Sequence, residues 1–382
     1  MSYLNISNDL LNHNNALSTA KEIYQQPEMW QKTQDLLEEN AETIDAFLKP
    51  ILATKNLRII LTGAGSSSYI GQCLAPLLLK DNNVEAIATT DLVSGPHLYF
   101  KKKTPTLLVS FSRSGDSPES LAAANLYTQL VDTCYQLVIT CNEEGALYKS
   151  VKADEKNMVF LLPPETHDQS FAMTSSFTSM LYVGLKILSK HAIDLNTVCK
   201  ATMAVINEQN DDIKILTRKN FWRVVFLGSN GLKSLAREAS LKLLELTDGQ
   251  IVTTYESSLG FRHGPKAIIS GNTIVFVFIS NDPHTRQYDL DLLNEIRRDR
   301  KAGLVVALSS EIEGMEPKRD HIIIKGLKDA NDCELMFPLI VYAQLYAFHS
   351  ALKLGNSPDS PCVSGTVNRV VQGVTIHPYN AR

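Results

Sequence analysis

The chain has 382 residues, 44% of them hydrophobic and 20% charged, with 37 Lys and Arg against 41 Asp and Glu and a formal charge of −4. That near-balance excludes the basic face of a general nucleic-acid or polyanion binder, and the apolar content excludes a disordered chain. The most apolar long stretch, 335–354, is interrupted by Pro338, Gln344, His349 and Lys353, so no membrane span is expected, and residues 1–10 lack the basic-then-apolar pattern of a signal peptide. Six cysteines form no CxxC pair and show no metal-ligand spacing with histidine. They read as reduced thiols of a cytoplasmic protein, with no metal and no cofactor implied.

In chain order, residues 19–48 come first. They are rich in Glu, Gln, Lys and Leu, lack Gly, and carry a helical stripe through Trp30, Leu36, Leu37, Ile44, Phe47 and Leu48. Pro27 marks a helix start and Pro50 lies near the end of the pattern. The reading is a helical N-terminal arm over 1–50, packed on a later domain or on a partner chain.

The rest of the chain repeats itself. Arg58-Ile-Ile-Leu-Thr-Gly63 resembles Arg223-Val-Val-Phe-Leu-Gly228, and the runs from Thr106, Leu137 and Met158 have counterparts from Thr273, Leu304 and His321, at offsets between 163 and 168. Long helical patterns follow in both halves, at 176–190 and 334–353. The runs are short, wholly apolar and β-branched, as strands buried on both faces of a parallel sheet must be. Right-handed crossovers then give three-layer αβα domains, over 51–205 and 206–382. One large doubly wound sheet is the alternative, and the repeated offset favours two tandem domains.

In such sheets ligands bind beyond the carboxyl ends of the strands. The first run ends Gly63-Ala-Gly-Ser-Ser-Ser68, two glycines and three hydroxyls at a helix start. This is either a helix cap or an anion loop. The second run ends Ser112-Arg-Ser-Gly-Asp-Ser117, with Pro118 and Glu119 opening a helix. Hydroxyls, N–H groups and a helix dipole at one turn suit a phosphomonoester, and Arg113 is placed to add a charge-assisted contact. A third hydroxyl group, Thr174, Ser175, Ser176 and Thr178, opens the helix after the fourth run, and Thr174 and Ser175 are expected to close the same phosphate pocket. The equivalent loops of the second half, Gly228-Ser-Asn-Gly231 and Ser280-Asn-Asp-Pro-His284, have lost the serine nest. The phosphate site is therefore expected in the first half alone.

The second half carries a different cluster. The helix 232–246 sets Glu238, Lys242 and Glu245 on one face at spacings of four and three. A polar stretch, 249–264, follows, and His263-Gly264-Pro265 forms a rigid turn that holds an imidazole on a loop.

Together Gly63-Ala-Gly-Ser-Ser, Ser112-Arg-Ser-Gly-Asp-Ser117, Glu238-Ala-Ser-Leu-Lys-Leu-Leu-Glu245 and Phe261-Arg-His-Gly-Pro265 resemble, in order and separation, the tandem sugar isomerase (SIS) domains of the glucosamine-6-phosphate synthase superfamily. Within it the chain is most similar to the bacterial galactosamine-6-phosphate deaminase/isomerases, long labelled tagatose-6-phosphate ketose/aldose isomerases, with fructosamine-6-phosphate deglycases a near relation. The resemblance implies that Ser112, Ser114 and Ser117 hold the phosphate and that Ser66 and Ser67 line the sugar side. It implies Glu245 as the base moving a proton between C2 and C1, with Lys242 beside it. It also implies that His263 opens the sugar ring and reaches the neighbouring site of a homodimer. Two departures from the synthase are visible. No cysteine precedes Cys73, so no glutamine-hydrolysing domain is expected. Gln372, in Asn368-Arg-Val-Val-Gln-Gly-Val-Thr-Ile376, stands where the synthase tail has its lysine. The tail is expected to cover the pocket, as in the family. The expected activity is a deaminating isomerisation of galactosamine 6-phosphate to tagatose 6-phosphate and ammonia. A plain aldose–ketose isomerase, a deglycase and a non-catalytic sugar-phosphate sensor are the alternatives.

Overall fold

The computed structural model describes residues 2–78, 83–152, 154, 156–189, 191–316 and 320–380. Lys190, the last residue of the expected helix 176–190, lies outside them. The arm is helical except at its start, where Ser2–Tyr3 and Ile6–Ser7 pair as a short antiparallel ribbon; a six-residue helix, Asn8–His13, is followed by α1 (Leu17–Tyr24), α2 (Gln26–Glu39) and α3 (Ala41–Leu52). Pro27 takes the second position of α2, where a missing N–H costs nothing.

The repeat is real in three dimensions. The first sheet consists of β1 (Arg58–Thr62), β2 (Asn83–Ala86), β3 (Thr106–Ser112), β4 (Cys134–Thr140) and β5 (Met158–Leu161), in the order β2-β1-β3-β4-β5. The second consists of β6 (Arg223–Leu227), β7 (Val252–Glu256), β8 (Thr273–Phe278), β9 (Leu304–Ser309) and β10 (His321–Ile323), in the equivalent order β7-β6-β8-β9-β10. Every pairing in both sheets is parallel. In each sheet the strand order reverses beside the first strand, so the switch points lie between β1 and β3 and between β6 and β8.

The expected apolar runs are all strands. Two of the four edge strands, β2 and β7, differ from that reading. β7 lies inside 249–264, read as a polar loop. An edge strand is covered on fewer sides, so Val252-Thr-Thr-Tyr-Glu256 keeps polar residues and stays partly exposed.

Helices cover the sheets: α4 (Ser66–Leu78), α5 (Pro118–Leu130), α6 (Ala146–Lys152) and α7 (Ser175–Leu188) in the first half, then α8 (Leu195–Glu208), α9 (Asn210–Thr217), α10 (Gly231–Leu246), α11 (Pro283–Asp299) and α12 (Asp332–Leu354). Among the described residues α12 is the one helix long and apolar enough to cross a membrane, and its apolar window is 94% buried within the protein. It packs along α10, with Tyr346 set edge-on to Phe276 of β8 at 4.9 Å. An apolar helix buried all round is a core helix.

The contacts divide the chain into two compact units. The first-sheet unit is Met29–Asp168, Ser175–Lys190 and Gly365–Arg382. There Trp30, fully buried, donates its indole N–H to Thr178 Oγ1 at 2.9 Å. The second-sheet unit is Met1–Glu28, Gln169–Thr174 and His191–Ser364. Its N-terminal helix is tied down by Asp359, which accepts from Ser18 N at 3.0 Å and Thr19 N at 2.7 Å.

Candidate active site

At the first switch point the chain turns sharply from β1 into α4. A Cβ on Gly63 would lie 2.6 Å from the backbone carbon of Ser67, so only glycine permits that approach. Ser66 and Ser67 occupy the first turn of α4, both largely buried. From the neighbouring β3 comes the serine turn. Ser112 Oγ accepts from Gly115 N at 3.1 Å, and Ser114 Oγ accepts from Asp116 N at 3.2 Å. Ser117 is the N-cap of α5 but makes no side-chain capping bond, and Pro118 is the first helical residue. Its hydroxyl thus stands beside a helix N-terminus without closing it. The turn is braced from the β4–α6 loop. Asn142 Nδ2 donates to Ser114 O at 2.7 Å, Leu147 N to Gly115 O at 2.9 Å, and Ala146 N to Asp116 Oδ1 at 3.0 Å. Two hydroxyl-rich helix starts at adjacent strand ends can hold an oxyanion without a lysine.

The remaining candidates in the first half are occupied differently. Arg113 is buried and donates from Nη2 to Arg369 O in the tail at 2.7 Å. Arg369 in turn donates from Nε to Asp168 O at 3.0 Å. Tyr379 stacks on His97 with the rings 6.2 Å apart and 3° from parallel. The tail is therefore strapped to the first-sheet unit beside the serine turn, with Gln372 exposed. Ser175 is fully buried at the start of α7, and its N–H and that of Ser176 donate to Asp168 at 3.1 and 2.9 Å. This helix start already holds a protein carboxylate. Thr174, buried, precedes it.

In the second-sheet unit α10 presents the charged trio. Lys242 is 1% exposed, its ammonium 2.5 Å from Glu245 Oε2 and 3.4 Å from Glu238 Oε1. Glu238 is fully buried, whereas Glu245 is 22% exposed. One ammonium thus lies between a sealed carboxylate and one that reaches solvent, and that geometry orients Glu245 while leaving an oxygen for a substrate proton. His263 is exposed on the loop after β7, between two short 3-10 turns, Gly260–Arg262 and Pro265–Ile268. At the base of that loop burial pushes the Glu256 carboxyl up. Hydrogen bonds from Lys233 and Ser257 N more than offset this and hold it below the ordinary carboxylate range.

The second switch point is closed from within. Asp289 of α11 is fully buried; its Oδ1 accepts from Ser229 Oγ and Ser258 Oγ, each at 2.5 Å, and its Oδ2 from Ser280 N at 3.0 Å. Burial raises its carboxyl above the usual range, against those hydrogen bonds. A protein carboxylate thus sits among the donors of the loops that lost the serine nest. Asp289 and the bracing residues Asp168 and Gly145 were not singled out in the sequence. The available signal was Asp289's place in the buried phase of α11, with Leu292, Leu293 and Ile296. Among the described residues no group of three or more His, Cys, Asp or Glu could hold a metal ion.

Comparison with known proteins decides the family. The SIS domain family matches residues 51–189. D-galactosamine-6-phosphate deaminase AgaS of Shewanella sp. (strain ANA-3) is 47% identical over 99% of this chain and 96% of its own length. The chain belongs to the SIS-domain family of AgaS proteins. The chain is similar to a solved structure, the tagatose-6-phosphate ketose/aldose isomerase from Escherichia coli, with a TM-score of 0.89, 42% identity and coverage of 95% of this chain and 97% of that one. The C-terminal domain of glucosamine-fructose-6-phosphate aminotransferase from Francisella tularensis shares the fold at a TM-score of 0.74 and 18% identity, covering 90% of this chain and 97% of that one. Family membership makes the two-sheet plan an SIS plan, with β1 and β3 carrying the hydroxyl-rich loops.

Proposed function

We propose that the protein is an amino-sugar-phosphate deaminase/isomerase that converts galactosamine 6-phosphate to tagatose 6-phosphate and ammonia. Its full-length identity to a D-galactosamine-6-phosphate deaminase is the observation that carries this reading. The phosphate is held by Ser112, Ser114 and Ser117 with the starts of α4 and α5, and Ser66 and Ser67 face the sugar. Arg113 holds the tail, whose Gln372 lies at the rim, and Thr174 and Ser175 support the loop behind.

His263 carries the C1 hydroxyl proton to the ring oxygen, which opens the hemiacetal to the aldehyde. Glu245 removes the C2 proton; that electron pair forms the C1–C2 double bond while the C1 carbonyl π pair moves to O1, which takes a proton from water to give an enaminol. The Glu245 proton then goes to C1 as the nitrogen lone pair forms the C2–N double bond, and the nitrogen gives one proton to water, leaving an imine at C2. Water adds to C2, and ammonia departs as the ketone forms. Lys242 fixes the Glu245 carboxylate. Positioned acid–base groups contribute roughly 10²–10⁴-fold each. The phosphate takes no part in bond changes, so its binding energy serves to align C1 and C2. The working form is a homodimer in which His263 reaches the neighbouring site, in the cytoplasm, where the six free thiols stay reduced.

The test is to incubate the purified protein with galactosamine 6-phosphate and with glucosamine 6-phosphate and to assay ammonia and ketose phosphate. Release of ammonia from neither sugar overturns the deaminase reading. Similarity to the Escherichia coli tagatose-6-phosphate ketose/aldose isomerase favours a second reading, a plain aldose–ketose isomerase acting on a sugar phosphate without deamination. Interconversion of tagatose 6-phosphate with its nitrogen-free aldose phosphate, with no ammonia released from either amino sugar, would establish it.

A further inference from the structure

His263 is exposed, yet its loop is not built like a free loop. Phe261, two residues before it, is fully buried and packs into the core of the second sheet. Ser258, at the loop's entry, is fixed to Asp289. Two cations flank His263 in the chain, Arg262 before it and Lys266 after it, and like charges brought together repel. One carboxylate on α11 joins them: Arg262 Nε donates to Glu295 Oε2 at 2.7 Å, and Lys266 Nζ bonds the other oxygen, Oε1. Asp299, one helical turn on, holds Lys266 at 2.6 Å. Glu295 therefore closes a bridge across the tip of the loop from a rigid helix. Its carboxyl lies below the ordinary range because both cations bond it.

We propose that Glu295 is a positioning residue for His263, holding the imidazole in place through Arg262 and Lys266. The proposal rests on the reading of His263 as the ring-opening group. An amide at 295 keeps the shape but offers one acceptor oxygen instead of two, so one arm of the bridge is lost. The three side chains are 23–27% exposed, so solvent screens the pairs and their removal costs little stability. Placement of a proton carrier is far more sensitive, since a displacement of about 1 Å can cost on the order of 100-fold in rate.

The experiment compares single-turnover rates and KM for the parent, Glu295→Gln, His263→Gln and the double variant. Glu295→Gln should lower the rate about tenfold or more with KM and melting temperature nearly unchanged. The double variant should be no slower than His263→Gln within about twofold, because a residue acting only through another adds nothing once that other is gone. Glu295→Asp should recover part of the rate. A parent-like rate for Glu295→Gln, or losses that multiply in the double variant, overturns the proposal. A fully active His263→Gln overturns the reading of His263 itself, and the proposal with it. If Glu295→Gln does not fold, Arg262→Gln combined with Lys266→Gln removes the same bridge from the loop side and is read by the same criteria.

Discussion

Lys242 has a structural place in the fold, and in the proposed mechanism it also fixes the Glu245 carboxylate. Its ammonium is sealed between Glu238 and Glu245, and a buried charge stripped of its partner costs about 3–5 kcal/mol. Lys242→Met leaves Glu238 buried without its cation, so a loss of that size is expected in urea titrations. Glu245→Gln behaves differently. Lys242 still faces Glu238, and Glu245 is partly exposed, so stability should change by no more than about 1 kcal/mol. Turnover should fall by at least about 100-fold while binding of inorganic phosphate persists. A stable, fully active Glu245→Gln enzyme would remove Glu245 from the mechanism. A second residue sets an acid limit on the fold. His349 of α12 is buried against Asn210, its Nε2 2.7 Å from Oδ1. Burial, and then the Lys214 charge, push its imidazole down to about 4, with Asp211 opposing. The unfolded chain binds the proton more readily, so stability is complete above about pH 6.5 and is lost as pH falls toward 4. The loss between pH 7 and pH 5 should be about 2 kcal/mol, and His349→Gln should flatten that part of the pH–stability curve.

Among the elements, the serine turn between β3 and α5 depends on a neighbour 30 residues away in the chain (Gly115 to Gly145). Gly115 adopts φ +72°, and a Cβ on Gly145 would lie 2.5 Å from Ser114 O and 2.9 Å from Gly115 Cα. Gly145→Ala must therefore push the β4–α6 loop off the turn, and overpacking of this kind costs about 1–3 kcal/mol. That energy should appear as weaker phosphate binding, with KM raised about tenfold or more and kcat at saturation nearly kept. Inhibition by inorganic phosphate should weaken in parallel, and an unchanged KM would show that the turn does not hold the phosphate. The turn itself was legible in the sequence because its hydroxyls are contiguous. Its brace was not, because Asn142 and Gly145 belong to a different strand end and only folding brings them to Ser114. The same division runs through the fold. β1, β3, β6 and β8 announce themselves because both faces are buried, which demands unbroken apolar runs. The edge strands β2 and β7, exposed at their first residues and only partly buried along most of their length, carry Asn, Thr and Glu and offer no unbroken apolar run to mark them as strands. Asp289 and Glu295 lie on a helix of largely polar composition. Their roles are fixed by Ser258, Arg262 and Lys266, which sequence does not place beside them.

For the whole molecule the duplication has separated tasks: the first switch point keeps an open hydroxyl nest, whereas Asp289 fills the second from inside. On the proposed function, a chain of net charge −4 with such a nest attracts its anion through local donors, not through a basic surface. The second copy contributes Glu245 and the His263 loop, and that loop ends in an exposed imidazole on a braced support. A rigid, outward-facing proton carrier suits a partner copy's substrate, which makes the dimer testable by complementation. His263→Gln and Glu245→Gln chains should each be nearly inactive alone. After co-refolding at equal concentration half of the dimers are mixed, and each mixed dimer has one site with Glu245 from one chain and His263 from the other. Activity should return to roughly a quarter of the parent's, because the remaining site of each mixed dimer lacks both groups. Recovery should depend on mixing before assembly and be absent when separately folded dimers are combined and assayed at once. If co-refolding restores nothing while both single variants fold and form mixed dimers, His263 serves its own chain, and the exposed loop must act without a partner.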